Sequence, residues 1–210
     1  MRPGEIILCF CKQPEPGMVK SRLAADLGQE LAATVYKTMA EHTVQALSSS
    51  EHEYALYCFP DTQHAFFEHC SDRYHAPLYR QEGKNLGERM FHAMDTHLGN
   101  GHPVVLIGSD CPELGTGYIN KAFHMLSTGK DVILGPATDG GYALIGANRI
   151  DGLLFQDIPW GTCDVLQQTL ARIKTLRWDY ACLPPVRDID TFADYRYYLA
   201  HENYRQLFAS

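Results

Sequence analysis

The run VVLIGSDCP, residues 104–112, decides how the chain is read. Val104 to Ile107 are continuously apolar and mostly β-branched, the pattern of a strand buried on both faces rather than one alternating between core and water. Gly108, Ser109 and Asp110 then end the strand on two small residues and a carboxylate, and Pro112 stiffens the loop that follows. A strand of this kind belongs to a sheet covered on both sides. Its exit is where an α/β protein places ligands.

Outward from this run, short apolar segments alternate with amphipathic ones. Strands are expected at 5–10, 54–59, 104–107, 132–134, 143–145 and 178–183. Helices are expected at 24–47, 86–98, 118–126 and 163–173, where apolar residues recur at three- and four-residue spacing, and closing helices at 191–199 and 202–208. The alternation predicts one α/β domain over residues 1–210, with a mostly parallel sheet between two helical layers. No internal repeat or Gly/Pro/Ser-rich linker divides it.

Composition narrows the function. The 210 residues carry a formal net charge of -7, which argues against nucleic acid or an anionic membrane as partner. Met1 to Glu5 lead straight into the short apolar run 6–10, too brief for a signal-peptide core, and no run is long enough to span a membrane. The seven cysteines are odd in number and mostly isolated, so a disulfide framework does not fit and a reducing cytoplasm does. Cys9 and Cys11, two apart on a strand, face the same side. They read as small buried apolar residues, with a metal or redox pair as the alternative.

The polar, glycine-bearing loops fall after strands. The first, Cys11 to Arg22, enters a helix and gathers Lys12, Lys20 and Arg22 around Gly17, an arrangement able to hold phosphate oxygens. It is not a P-loop, because Val19 and not Gly precedes Lys20. A dinucleotide fingerprint is absent too, since this turn has only Gly17. Asp110 offers a hard cation one carboxylate oxygen. Asp139, before Gly140 and Gly141, and the pair Asp188 and Asp190 can converge on it from other strand ends, while Asp110 and Asp190 read alternatively as helix caps. Carboxylates so gathered would repel one another until a cation arrives, so Asp110→Asn is expected to leave unliganded stability unchanged or raised. The ten histidines show no paired ligand spacing, and no G-x-S-x-G elbow occurs.

In order along the chain, Lys12, Pro14, Gly17, Lys20, Arg22 and Leu23, then Leu86 to Met90, Gly108 to Pro112, Gly135 and Pro136, Asp139 to Tyr142, Ile158 to Trp160 and Asp188 to Thr191 resemble the DUF2064 group of GT-A superfamily proteins. That group comprises glycosyltransferase-like proteins found near selenium or arsenosugar genes. Its fold is similar to that of the nucleotidyltransferases for molybdopterin and phospholactate, whose first loop binds triphosphate and whose strand-end Asp binds Mg²⁺. The resemblance implies a GT-A three-layer α/β/α sandwich. It implies Lys12, Gly17, Lys20, Arg22, Leu86, Gly87 and Arg89 at the nucleotide, Asp110 and Asp190 at Mg²⁺ or Mn²⁺, and Gly140, Gly141, Tyr142 and Trp160 at the acceptor. Asp139 and Lys20 take the catalytic roles. Ser21, Thr138 and Gly161 depart from the family, where Thr, an acidic residue and Ser are usual.

Three functions follow as expectations. The first is a metal-dependent glycosyltransferase with a nucleotide-diphospho-sugar donor and a small-molecule acceptor. The second is a nucleotidyltransferase that releases pyrophosphate from a nucleoside triphosphate. The third is a nucleotide-binding protein without turnover.

Overall fold

A computed structural model describes residues 4–99 and 101–208; Met1 to Pro3 of the opening segment lie outside them. The strands are β1 (Ile6–Lys12), β2 (Glu53–Phe59), β3 (Leu78–Arg80), β4 (Val104–Gly108), β5 (Val132–Pro136), β6 (Tyr142–Ala147) and β7 (Tyr180–Cys182). They form one seven-stranded sheet in the order β3-β2-β1-β4-β6-β5-β7. β6 runs antiparallel to β4 and β5, and every other pairing is parallel.

Among the described residues the α-helices are α1 (Ser21–Leu27), α2 (Gln29–Ser48), α3 (Ala65–Tyr74), α4 (Leu86–Leu98), α5 (Thr116–Ser127), α6 (Val165–Leu176), α7 (Phe192–Ala200) and α8 (Glu202–Arg205). Strand residues alternate between two cores. Ile7, Cys9 and Cys11 of β1 join α2, α3, α5 and α7 on one face, while Leu8 joins α4, α6 and the 3-10 turn Gly152–Phe155 on the other. Each aliphatic side chain so enclosed contributes about 1.5 to 3 kcal/mol. The central strands β1 and β4 are buried on both faces, as the run at 104–107 requires.

Several boundaries differ from expectation, each for a local reason. The helix expected over 24–47 is two helices, because Gly28 at φ 79° closes α1 and opens α2. Such an angle suits glycine and breaks helical continuity. β1 runs on to Lys12, so Cys11 and Lys12 belong to the strand rather than the loop. β3 and α3 were not expected. β3 is three residues at the sheet edge, and α3 buries only Phe66, Phe67 and Cys70.

The cap of α7 is Thr191, in a capping box with Asp194, and not Asp190. In the first core the Cys9 and Cys11 sulfurs lie 3.7 Å apart. The Cys11 thiol beside it, together with burial, pushes Cys9 well above the usual thiol range, so Cys9 stays a neutral thiol. Among the described residues no group of three metal-binding side chains forms. Tyr198 is buried in the same core, with Tyr195 and Tyr204 packed against it.

Candidate active site

The carboxyl ends of β1, β4, β5 and β7 point the same way, and backbone hydrogen bonds stitch their loops together. Val186 N donates to Pro136 O at 2.9 Å, Thr138 N to Val186 O at 3.0 Å, and Ile189 N to Asp110 O at 3.2 Å. These bonds align 186–190 with the β5–β6 turn on one side and the β4 exit on the other. Residues far apart in sequence thus meet around Asp110.

Two clefts share Leu86, Gly108 and Asp110 as their common wall. The first, about 340 Å³, is lined by Lys12, Lys20 and Arg89 together with Tyr36, Gln81, Ser109 and Asp190. Its size lies within the range of small-ligand sites. The second, about 240 Å³, is lined by Asp139, Gly141, Tyr142, Trp160 and Asp188. Of the residues expected at the nucleotide, Lys12, Lys20, Leu86 and Arg89 line the first cleft; of those expected at the acceptor, Gly141, Tyr142 and Trp160 line the second and Gly140 does not.

Within the first cleft, Lys20 sits at φ 51° just before α1 and sends its side chain inward. Nζ meets Asp110 Oδ2 at 2.8 Å and Asp190 Oδ1 at 4.0 Å, with only 5% of the side chain exposed. Burial pulls the Lys20 ammonium down, but Asp110, with Asp190 and Asp188 behind it, outweighs this and leaves it raised. For Asp110, burial pushes up and Lys20 pulls down further, so its carboxyl ends below the ordinary range. Both shifts describe one charged pair. Asp110 caps no helix, since the cap of α5 is Gly115.

Arg22 Nη1 bonds Asp190 Oδ2 at 2.9 Å while remaining largely exposed. Arg89 donates from Nε to Gly83 O at 3.1 Å and lies 4.0 Å above the Phe59 ring. Gly17, at φ 80°, shapes the first loop but does not line the cleft, and neither do Gly87 and Arg22. Gly87 lies under Trp160 instead: a Cβ there would fall 2.8 Å from the indole.

Two polar cleft residues, Tyr36 and Gln81, were not singled out in the sequence. The buried Tyr36 hydroxyl accepts from Lys12 N at 2.8 Å and pairs with Ser109 Oγ at 2.8 Å, tying β1, α2 and β4 together beneath the cleft. Gln81 donates from Nε2 to Tyr57 O at 2.7 Å. Tyr36 looked like ordinary core spacing within a helix, and nothing in the sequence separates it from its buried neighbours.

In the second cleft, Asp139 Oδ1 accepts from Gly141 N at 2.8 Å in the β5–β6 turn. The left-handed backbone of this turn belongs to Gly140, at φ 94°, where a Cβ would lie 2.3 Å from Cys163 O. Gly141 instead contributes a bare backbone to the cleft. The Tyr142 ring packs edge-on against Trp160, centroids 6.4 Å apart, while its hydroxyl is buried near Thr169 rather than offered to a ligand.

Asp188 was noted only as the partner of Asp190, yet it is the one that shares a cleft with Asp110 and Asp139. Burial and the charges of Asp110 and Asp139 raise it to about 6. Such crowding suits a hard cation, which would relieve the repulsion, and Mg²⁺ commonly takes one or two carboxylates and completes its shell with phosphate and water. The donor set fits. Among the described residues no ready-made group of three ligands exists, so substrate oxygens would have to share the coordination.

The sequence matches the family model described as an uncharacterized protein conserved in bacteria (DUF2064) over residues 38–162. No curated protein matches it. Among solved structures it is similar to a protein from Desulfovibrio desulfuricans G20 provisionally named a nucleotide-diphospho-sugar transferase. That protein is 33% identical, with 95% of this chain and 88% of that one covered and a TM-score of 0.86. A nucleotidyl transferase from Methanothermobacter thermautotrophicus shares the fold at 15% identity, 98% of each chain covered and TM-score 0.60. So does a cytidylyltransferase from Leptospira borgpetersenii, at 14% identity, 91% of this chain and 83% of that one, and TM-score 0.57. With the family model spanning more than half of the sequence and a one-third-identical relative nearly all of it, the chain belongs to the DUF2064 family and is a transferase built on the nucleotide-diphospho-sugar transferase fold.

Proposed function

We propose that the protein is a metal-dependent glycosyltransferase using a nucleotide-diphospho-sugar donor. One observation carries the reading: charge divides across Asp110. The first cleft holds Lys12, Lys20 and Arg89 beside Asp110 and Asp190, whereas the second is lined by Asp110, Asp139 and Asp188 and, among the described residues, by no Lys, Arg or His. A diphosphate suits the first. A hydroxyl acceptor suits the second better than the phosphorylated acceptor that nucleotidyl transfer requires, because like charges in a partly desolvated cleft repel.

In this reaction the acceptor hydroxyl oxygen bonds to the anomeric carbon. The bond from that carbon to the donor phosphate oxygen breaks, and the nucleoside diphosphate leaves with the electron pair. Asp139 takes the hydroxyl proton; the Gly141 N–H fixes one of its oxygens and leaves the other for the acceptor. Lys20 lies where it can turn from Asp110 towards the departing diphosphate, and Lys12 and Arg89 hold the nucleotide. A bound Mg²⁺ or Mn²⁺, held by Asp110 with Asp188 or Asp190, would neutralise charge on the leaving group. The seven unpaired thiols suit a reducing cytoplasm. Among the described residues no helix is long and apolar enough to cross a membrane.

Nucleotidyl transfer is the second reading, favoured by the number of cations around the first cleft. The test incubates the protein with nucleotide sugars and nucleoside triphosphates in parallel, with Mg²⁺ and with chelator. Metal-dependent release of nucleoside diphosphate from a nucleotide sugar supports glycosyl transfer. Pyrophosphate from a triphosphate supports the second reading. Neither product, with a nucleotide-induced rise in melting temperature, makes the protein a binder without turnover.

A further inference from the structure

Trp160 is a wall of the acceptor cleft and also of a third hollow, about 580 Å³, between the start of α4 and the segment 152–160. Glu88, Phe91, Phe155, Gln156 and Asp157 form much of the rest of its lining. Nothing in the reaction so far uses it.

We propose that this hollow is a second acceptor subsite, and that the acceptor is a hydroxylated ring compound without negative charge, of glycoside-like chemistry. The inference rests on the glycosyl-transfer reading for the word acceptor, but its grounds lie in the hollow itself. Its charged lining residues, Glu88 and Asp157, are acidic, as are those of the adjoining cleft, and no Lys, Arg or His lines either among the described residues. The Arg172 guanidinium reaches only to 4.0 Å from Asp157. A phosphate or carboxylate passing over Trp160 would meet carboxylates at each end.

The remaining surface has the makings of a sugar platform. The half-buried Trp160 indole is backed by the Phe155 ring, which is only 5% exposed, with centroids 6.4 Å apart and planes inclined by 33°, so Trp160 supplies the flat apolar area for the C–H face of a ring. The indole N–H of Trp160 has no protein partner among the described residues, so it is available to a hydroxyl. Glu88 is fixed, its oxygens accepting from Lys84 N at 2.8 Å and Asn85 Nδ2 at 3.0 Å, and Gln156 adds an exposed amide. Gly87 sets the indole in place, because a side chain there would collide with Trp160 and with Phe155 O.

The chain contains two tryptophans, so Trp178→Phe leaves Trp160 as the only indole reporter. That variant is titrated with methyl glucoside, glucosamine and glucose 6-phosphate, without nucleotide, while saturation-transfer NMR follows the same three compounds on the wild-type protein. Methyl glucoside and glucosamine should shift Trp160 emission and show saturation transfer, glucose 6-phosphate should do neither, and Trp160→Ala should abolish transfer to both methyl glucoside and glucosamine. Equal binding of the phosphate, persistence of binding in Trp160→Ala, or no binding of the neutral sugar overturns the proposal. Nucleoside diphosphate release from nucleotide sugars is measured on the same preparation. Release without glycoside binding removes only this subsite, whereas glycoside binding without release removes the glycosyl-transfer reading and leaves a sugar site.

Discussion

The Lys20 ammonium stands 2.8 Å from the Asp110 carboxylate, at the wall that divides the two clefts. The pair is stable only as a pair, because Lys20 has almost no contact with water. Asp110→Asn should therefore lower unliganded stability, by about 1 to 3 kcal/mol, since it strands a buried ammonium. This reverses the sequence-based expectation of an unchanged or raised value, which considered repulsion among carboxylates without the lysine between them. Chemical denaturation without Mg²⁺ measures the loss. Melting with Mg²⁺ and nucleotide tests the metal role separately, because a ligand-induced rise equal to that of the wild type would remove Asp110 from the metal site.

Asp188→Asn should act in the opposite direction, and in a pH-dependent manner. A carboxyl raised to about 6 in the folded state binds its proton more tightly there than when unfolded. It therefore imposes a cost that is absent below the ordinary carboxylate range, grows as pH rises towards 6, and is complete above it. Removing the charge should stabilise the protein by about 1 to 2 kcal/mol at pH 7, allowing for partial screening by solvent, and by nothing at pH 3. Urea titrations of both proteins at the two pH values make the comparison. An equal difference at both would exclude the carboxyl as its source.

Gly140 and Gly141 should separate folding from function. At Gly140 the left-handed backbone alone makes alanine cost about 1 to 3 kcal/mol, and the clash with Cys163 O adds to it. At Gly141 a Cβ meets only the Asp139 carboxyl, Oδ1 nearest at 3.2 Å, so the fold should survive while the second cleft narrows. Gly141→Ala should retain a near-native melting temperature and donor affinity and raise the KM for acceptor.

Arg22→Ala should cost little stability, about 0 to 1 kcal/mol, although its bond to Asp190 is as short as many buried ones. Arg22 is exposed, and water competes for both partners. If the first loop holds phosphate, nucleotide affinity measured by calorimetry should fall while the melting temperature stays put.

The two-sided burial of β1 and β4 was legible in the sequence because continuous apolar runs admit few alternatives. So were the loops, since glycines and carboxylates after strands mark sheet ends. What could not be read was partnership. Lys20 was expected to be free for phosphate, but its left-handed backbone turns it inward onto Asp110, a contact across 90 residues that no local pattern encodes. Asp188 and Asp190 were indistinguishable by type. Their fates diverge because the bond from Ile189 N to Asp110 O fixes which neighbour faces which cleft. Tyr36 was hidden for the opposite reason, in that its helical spacing was satisfied by packing alone while its hydroxyl did the tying.

The common wall at Asp110 also partitions the chain as a linear message. Apart from Asp190, every described residue lining the first cleft lies at or before Asp110, while the lining that belongs to the second cleft alone comes, apart from Met90, from 137–165 and Asp188. If the proposed roles of the clefts hold, the stretch from the β5–β6 turn through β6 to the start of α6 is a cassette beside a fixed donor-binding frame, with β6 its anchor in the sheet between β4 and β5. Exchanging residues 137–165 between family members should transplant acceptor preference while donor preference stays with the host, which lets substrate range diversify by recombination at two points without rebuilding the nucleotide cleft.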